Sequence, residues 1–205
     1  MEFQEYRNYQ ELSGRPAALS QLIASYQNVF GEPDVWAENY THDEVDTKLQ
    51  AELAGSANLR LYVDDDSDAS VAGFFWVQML HVPEIVHAIG TIKFAQAFAK
   101  AQLRARLYDL IGPEPVIYIH DLGIQKAYRG RVQLTQLICP SLWELARRTG
   151  VAKVMFWSVP GTQMSAFARR AGFDKILVAN GMHFYVGELA IGETFDGVNL
   201  PWRKH

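Results

Sequence analysis

Cysteine is almost absent from this chain. The single residue, Cys139, allows no internal disulfide, which excludes a disulfide-stapled secreted scaffold and fits a reducing compartment. Long hydrophobic runs are missing as well. The most apolar stretch, Val71 to Val82, falls short of the roughly 20 residues a helix needs to cross a bilayer. Basic residues are not in excess: 19 Lys and Arg face 23 Asp and Glu, a formal net charge of −4, so no global field favours nucleic acid. The opening residues, Met1-Glu-Phe-Gln-Glu5, lack the basic region and apolar run of a secretory leader. His81, His87 and His183 have no Cys or His partner at metal-ligand spacing, and Asp64 to Asp68 lacks the central Gly and closing Glu of an EF-hand loop, so no metal site is expected. With 49% hydrophobic and 20% charged residues over a length of 205, the composition is that of one folded domain rather than a disordered chain. These absences together predict a soluble, cytoplasmic protein with no nucleic-acid or membrane partner.

What the chain does contain is an alternation of strand and helix patterns. Glu2 to Tyr9 reads as a first strand, and Arg15-Pro16 opens a helix. Ala18, Leu19, Leu22, Ile23, Tyr26, Val29 and Phe30 recur there at helical spacing until Gly31-Glu-Pro33 stops it. A second helix starts at Thr41, with Glu44 three residues on as a capping box, and turns Val45, Leu49 and Leu53 inward. Asn58 to Val63 and Ser70 to Val82 form a hairpin around the acidic loop. Pro83 to Ile111 is a long helical segment, weakened at Gly90-Thr91, with Lys93, Lys100 and Arg104 on its outer face. After it come a strand, Val116 to Ile124; a helix, Gly130 to Thr149, with Pro140 inside it; a strand, Val151 to Val159; and a short helix from Met164 to Gly172. Lys175 to Ala179, Asn180-Gly181 and Met182 to Leu189 close the chain as a hairpin with a type I′ turn signal.

One stretch carries chemistry. Val116 to Ile124 is aliphatic and β-branched, with a polar pair, His120-Asp121, in its middle. It breaks at Ala127-Tyr-Arg-Gly130 and enters a helix. A strand that turns through Arg-Gly into a helix can hold anionic phosphate, because the helix N-terminus presents unpaired N–H groups and a partial positive charge.

Asp121, Leu122, Ile124, Tyr128, Arg129 and Gly130 fall on a known pattern. The stretch resembles the acyl-CoA-binding motif of the GNAT-type N-acetyltransferases, with His120 where Glu is frequent and Val132 and Leu134 where small residues are usual. Phe167, Gly172 and Phe173 match the same family's second signature, with Ala168 in place of its tyrosine. The order of elements is also similar along nearly the whole chain. The resemblance implies an α/β fold: an acyl-CoA N-acyltransferase-like mixed, mostly antiparallel central sheet, with helices on both faces. A helical insertion at about 83–112, before the fourth strand, is a departure that would serve as a lid or a homodimer surface.

The same resemblance implies acetyl-CoA or another acyl-CoA as co-substrate, no metal, and a small amine or amino-acid-like acceptor recognised by the first two helices. It places the thioester carbonyl at Leu122, Gly123 and Ile124, with the amide of Ile124 polarising it. It places the pyrophosphate on Gly130, Arg131, Val132, Gln133, Leu134 and Thr135, with Arg129 or Arg131 adding a charge-assisted contact. His120 stands where the base would be, and imidazole can take a proton near neutral pH. Asp121 is read as a loop cap, Ser165 and Tyr185 as substitutes for the missing tyrosine, and Cys139 as packing. Two alternatives stay open. One is a non-catalytic or altered member that has lost CoA; the other is transfer of a longer acyl group, suggested by the basic insertion and by Gly73-Phe-Phe-Trp76.

Overall fold

A computed structural model describes residues 2–33, 37–64, 70–91, 100–179 and 181–203. The elements are β1 (Glu2–Tyr6), α1 (Tyr9–Ser13), α2 (Pro16–Phe30), α3 (His42–Glu52), β2 (Ala57–Asp64), β3 (Ser70–Leu80), α4 (Val82–Thr91), α5 (Lys100–Ile111), β4 (Val116–Ile124), α6 (Leu134–Thr149), β5 (Lys153–Ser158), α7 (Gln163–Ala171), β6 (Asp174–Ala179) and β7 (Met182–Glu188). The strands form one sheet in the order β1-β2-β3-β4-β5-β7-β6. Every pairing is antiparallel except β4 with β5. The mixed, mostly antiparallel sheet with helices on both faces is therefore as the sequence implies.

Strand alternation sorts the side chains to the two faces. Phe74, Trp76, Tyr118, Met155 and Phe184 point to one face, where α1–α3 and α4–α5 cover them side by side. Phe75, Val77, Ile117, Ile119, Val154 and Phe156 point to the other, under α6 and α7. The Thr41 capping box on α3 is present in both directions.

Several boundaries depart from expectation. The first strand stops at Tyr6 because Asn8 caps a short helix, accepting from the amide of Glu11. The helix expected from Gly130 starts only at Leu134. Gly130 sits at φ +83°, and the amides of Arg131 and Val132 turn back to the carbonyl of Tyr128, so the chain between a 3-10 turn at Lys126–Tyr128 and α6 is a loop. Helix α6 runs on through Pro140. The C-terminal segment packs on the core: Leu189 bridges to Trp202, whose ring lies 4.5 Å from Phe173. The acidic loop 65–69, Asn180 of the final turn and residues 92–99, with Lys93, lie outside the described residues.

Two irregularities of β4 shape the middle of the molecule. Its antiparallel register with β3 shifts by one residue, from Val77↔Ile119 to Trp76↔Asp121, which makes His120 the extra residue of a β-bulge. Its pairing with β5 consists of Ile117↔Val154 and Tyr118↔Met155, after which the strands part. Beyond the bulge, Gly123 is held small by Phe74: a Cβ there would come 2.1 Å from the buried ring. Gly123→Ala should cost about 1–3 kcal/mol of stability in urea unfolding, as overpacking does. Paired with Phe74→Leu it should cost less than the two changes summed. Simple additivity would refute the contact.

Candidate active site

The parting of β4 and β5 opens a cleft of about 1290 Å³. One wall is Ile119 to Ile124 of β4; the other is Phe156, Trp157 and Ser158 of β5 with the start of α7; α2, α3 and α4 contribute Tyr26, Lys48, Glu52 and Glu84. The bulge gives this cleft its polar floor. Adjacent strand residues normally face opposite sides, but the extra residue turns both His120 and Asp121 toward α2 and α3.

His120 and Asp121 meet a buried ionic cluster. Lys48 and Glu52, one helical turn apart on α3, are ion-paired, and the Lys48 ammonium also lies 3.2 Å from Asp121 Oδ2. Tyr26 donates to the same oxygen at 3.3 Å. The Trp76 indole donates to Glu52 Oε2 at 2.9 Å, and His120 Nδ1 stands 3.4 Å from Glu52 Oε1. On its other side His120 Nε2 lies 3.0 Å from Gln78 Oε1, while Gln78 Nε2 donates to the carbonyl of Ala54 at 2.6 Å. The His120 side chain is only 3% exposed.

Burial by itself would raise the Glu52 carboxyl, but the charges of His120 and Lys48 outweigh it and hold the group at about 2. Asp121 goes the other way: burial raises it, Lys48 opposes the rise, and the nearby Glu52 charge adds to it. Lys48 is raised; burial works against its charge, and Asp121 and Glu52 more than compensate. The Tyr26 and Tyr118 hydroxyls are raised first by burial and then by the neighbouring carboxylates, so both stay protonated.

The sequence-derived site residues divide into two groups. His120, Leu122, Gly123, Ile124 and Arg129 line the cleft. Gly130, Arg131, Val132, Gln133, Leu134 and Thr135 lie beyond it, on the loop and first turn of α6. Val132 is buried, and Leu134 is half-buried against the core under α6. The amides of Arg131 and Val132 are taken by Tyr128, whereas those of Leu134 and Thr135 are left open by helix geometry. Arg129 is ion-paired with Glu32, and its Nε donates to the carbonyl of Ile124 at 3.2 Å.

Other expectations change. Asp121 caps no loop; it faces the cleft. Ser165 and Tyr185 do not line the cleft. The Ser165 hydroxyl donates to the carbonyl of Thr162 at 2.8 Å, and Tyr185 stacks on Phe156 with its rings 5.2 Å apart. Ser158 and Thr162 do line it, their hydroxyls 2.5 Å apart. Cys139 is buried, which pushes its thiol up to about 12. No group of His, Cys, Asp and Glu that could hold a metal occurs among the described residues, and none of their helices is long and apolar enough to cross a membrane.

No family model and no curated protein matches the sequence. Solved structures do match. A mosquito arylalkylamine N-acetyltransferase like 5b is similar at TM-score 0.61 and 14% identity, over 92% of this chain and 100% of that one. A GNAT-family acetyltransferase from Listeria monocytogenes is similar at TM-score 0.54 and 13% identity, over 92% and 96%. The PaiA N-acetyltransferase of Thermoplasma acidophilum, in complex with coenzyme A, is similar at TM-score 0.55 and 10% identity, over 92% and 99%. The fold is that of the GNAT-type acetyltransferases.

Glu52 offers a test of the cluster. Its depressed carboxyl stabilises the fold above its ordinary value of 4.5, and that contribution is lost as pH falls toward about 2. The melting temperatures of the wild type and Glu52→Gln should therefore differ most near neutrality and converge below pH 4.5. A gap that stays constant down to pH 2 would remove Glu52 from the account.

Proposed function

We propose that the chain is an acyl-CoA-dependent N-acyltransferase that moves an acetyl group onto a small amine. The observation that carries this is the separation of β4 from β5 into a cleft, with a charged cluster in its lining and a loop leading into the N-terminus of α6 beyond it. A thioester lying along Leu122, Gly123 and Ile124 would meet strand edges that no neighbouring strand satisfies. Its pyrophosphate would rest on Gly130 to Thr135, where the open amides of Leu134 and Thr135 and the positive end of α6 face outward. Arg129 would join by leaving Glu32. The fold's likeness to N-acetyltransferases, one of them crystallised with coenzyme A, supports the same donor.

The acceptor would enter between α2, α3 and α4. Tyr26, Tyr40 and Trp157 supply aromatic walls, and Glu38 and Glu84 supply negative charge at the lining. That lining suits a cationic amine. His120, with its partners Glu52 and Gln78, belongs to the centre that handles the acceptor's protons.

Two features favour a second reading, an altered member of the fold that has lost CoA. Arg131 and Val132 have given up their amides to Tyr128, and Ala168 removes the tyrosine acid. Thermal unfolding with millimolar acetyl-CoA separates the readings, since a ligand that binds only the native state raises the melting temperature. The acyltransferase reading expects a rise of several degrees. No rise with acetyl-CoA supports the altered reading, and a rise with long-chain acyl-CoA alone supports transfer of a longer group. His120→Ala should lower turnover at neutral pH and leave the acetyl-CoA shift intact; unchanged turnover would assign His120 to packing.

A further inference from the structure

We propose that Asp121 is the group that takes the acceptor's proton, while Glu52 and Gln78 keep His120 protonated on both ring nitrogens as a fixed cation. The proposal rests on the acyltransferase reading and specifies its chemistry.

The geometry around His120 leaves it no free lone pair. Gln78 Nε2 donates to the Ala54 carbonyl at 2.6 Å, and a carbonyl can only accept, so the amide oxygen is the end that faces the ring. His120 Nε2 therefore points at an acceptor 3.0 Å away. Its Nδ1 lies at ion-pair distance from Glu52 Oε1, 3.4 Å away, and an ionised carboxylate also only accepts. A neutral imidazole would set one lone pair against an oxygen. With hydrogen on both nitrogens, both contacts are attractive. Such a ring cannot accept a further proton.

Asp121 is differently placed. It lines the cleft and is 17% exposed. Its Oδ2 receives Lys48 and Tyr26, which fix the carboxylate at the cleft lining and leave Oδ1 outside both contacts. The charged and titratable groups facing it are Lys48 and Glu52 from α3, Tyr26 from α2, Tyr40 before α3, and His120 and Tyr118 from β4. Lys48 and His120 balance Glu52 and Asp121 when Asp121 is ionised. Burial raises Asp121 above an ordinary carboxyl, in the direction a base needs.

The step balances as follows. An incoming ammonium gives one proton to Asp121. The freed nitrogen lone pair attacks the acyl carbon, the C–N bond forms, and the C–S bond breaks with its electron pair leaving on sulfur. The nitrogen's surplus proton goes to that thiolate, giving amide and thiol. Asp121 then releases its proton to water, so one proton is set free per ammonium acylated.

Nitrogen-detected NMR of histidine-labelled protein at pH 7.5, without ligand, reads the first half. Both His120 ring nitrogens should show imidazolium shifts, and Glu52→Gln should restore one unprotonated nitrogen. An unprotonated nitrogen in the wild type overturns the proposal. Turnover with acetyl-CoA and tyramine or putrescine reads the second half. Asp121→Asn should lower kcat/KM ~100-fold or more near neutrality, regain activity as pH rises and the amine deprotonates unaided, and keep the acetyl-CoA melting shift. His120→Gln should lose less than ~10-fold. The reverse ranking overturns the assignment. If neither acetyl-CoA nor a long-chain acyl-CoA shifts the melting temperature of the wild type, the acyltransferase reading fails, and the NMR result still decides the state of His120.

Discussion

The single extra residue in β4 is the constraint on which the site depends. In a regular strand His120 and Asp121 would face opposite sides of the sheet, and only one could reach α3. The register shift beside Trp76 turns both to the same face. It also rotates the strand beyond it, so β4 leaves β5 after two paired residues and a cleft takes the place of a ladder. Past the bulge, Gly123 lets the Phe74 ring lie against the strand's backbone, which ties the diverging arm to the aromatic cluster of Tyr26, Phe30 and Trp76.

A bulge that buries two titratable side chains needs compensation. Glu52 answers His120, and Lys48 answers both carboxylates. Trp76 donates to Glu52, Tyr26 donates to Asp121 Oδ2, and Gln78 sets its amide oxygen against His120. Losing one member of such a set costs about 3–5 kcal/mol, because the survivor is left charged and unpaired. A hydrophobic replacement of the whole set would hold the fold together as well. The retention of four ionisable groups at the floor of an open cleft is therefore weak as a stability argument and stronger as a functional one.

Much of the fold was legible in the sequence. The strand and helix patterns gave the element order, and Asp121-Leu122 through Gly130 indicated the β4–α6 junction. What could not be read was long-range or irregular. Nothing in Ile119-His120-Asp121-Leu122 announces a bulge, since alternation and a one-residue shift look alike in a short polar pair. The inward apolar spacing of Val45, Leu49 and Leu53 hid Lys48 and Glu52, which share that face. A Lys–Glu pair four apart ordinarily reads as a solvated helix surface. The C-terminal residues carried no periodicity, yet Leu200 and Trp202 close the core against Phe173.

The loss of a tyrosine at Ala168 takes on a different meaning once the cluster is placed. Ala168 is fully buried on the inner side of α7, in the core cluster that holds Phe156 and Phe167, and does not line the cleft. An acid there would be needed if the amine's protons were all captured by a base on the far wall. If, as proposed, one proton passes to a carboxylate and the second is carried by the nitrogen itself to the departing sulfur, no separate donor is required. On that proposal the cleft wall opposite Asp121 would need only to exclude water and hold the acyl group. Trp157 and Met164 are suited to that, with the Ser158–Thr162 pair capping the start of α7. Under the proposed assignment the departures that set this chain apart from its fold relatives become one arrangement: His120 would be a fixed charge and Asp121 would face the acceptor, while Ala168 belongs to the core.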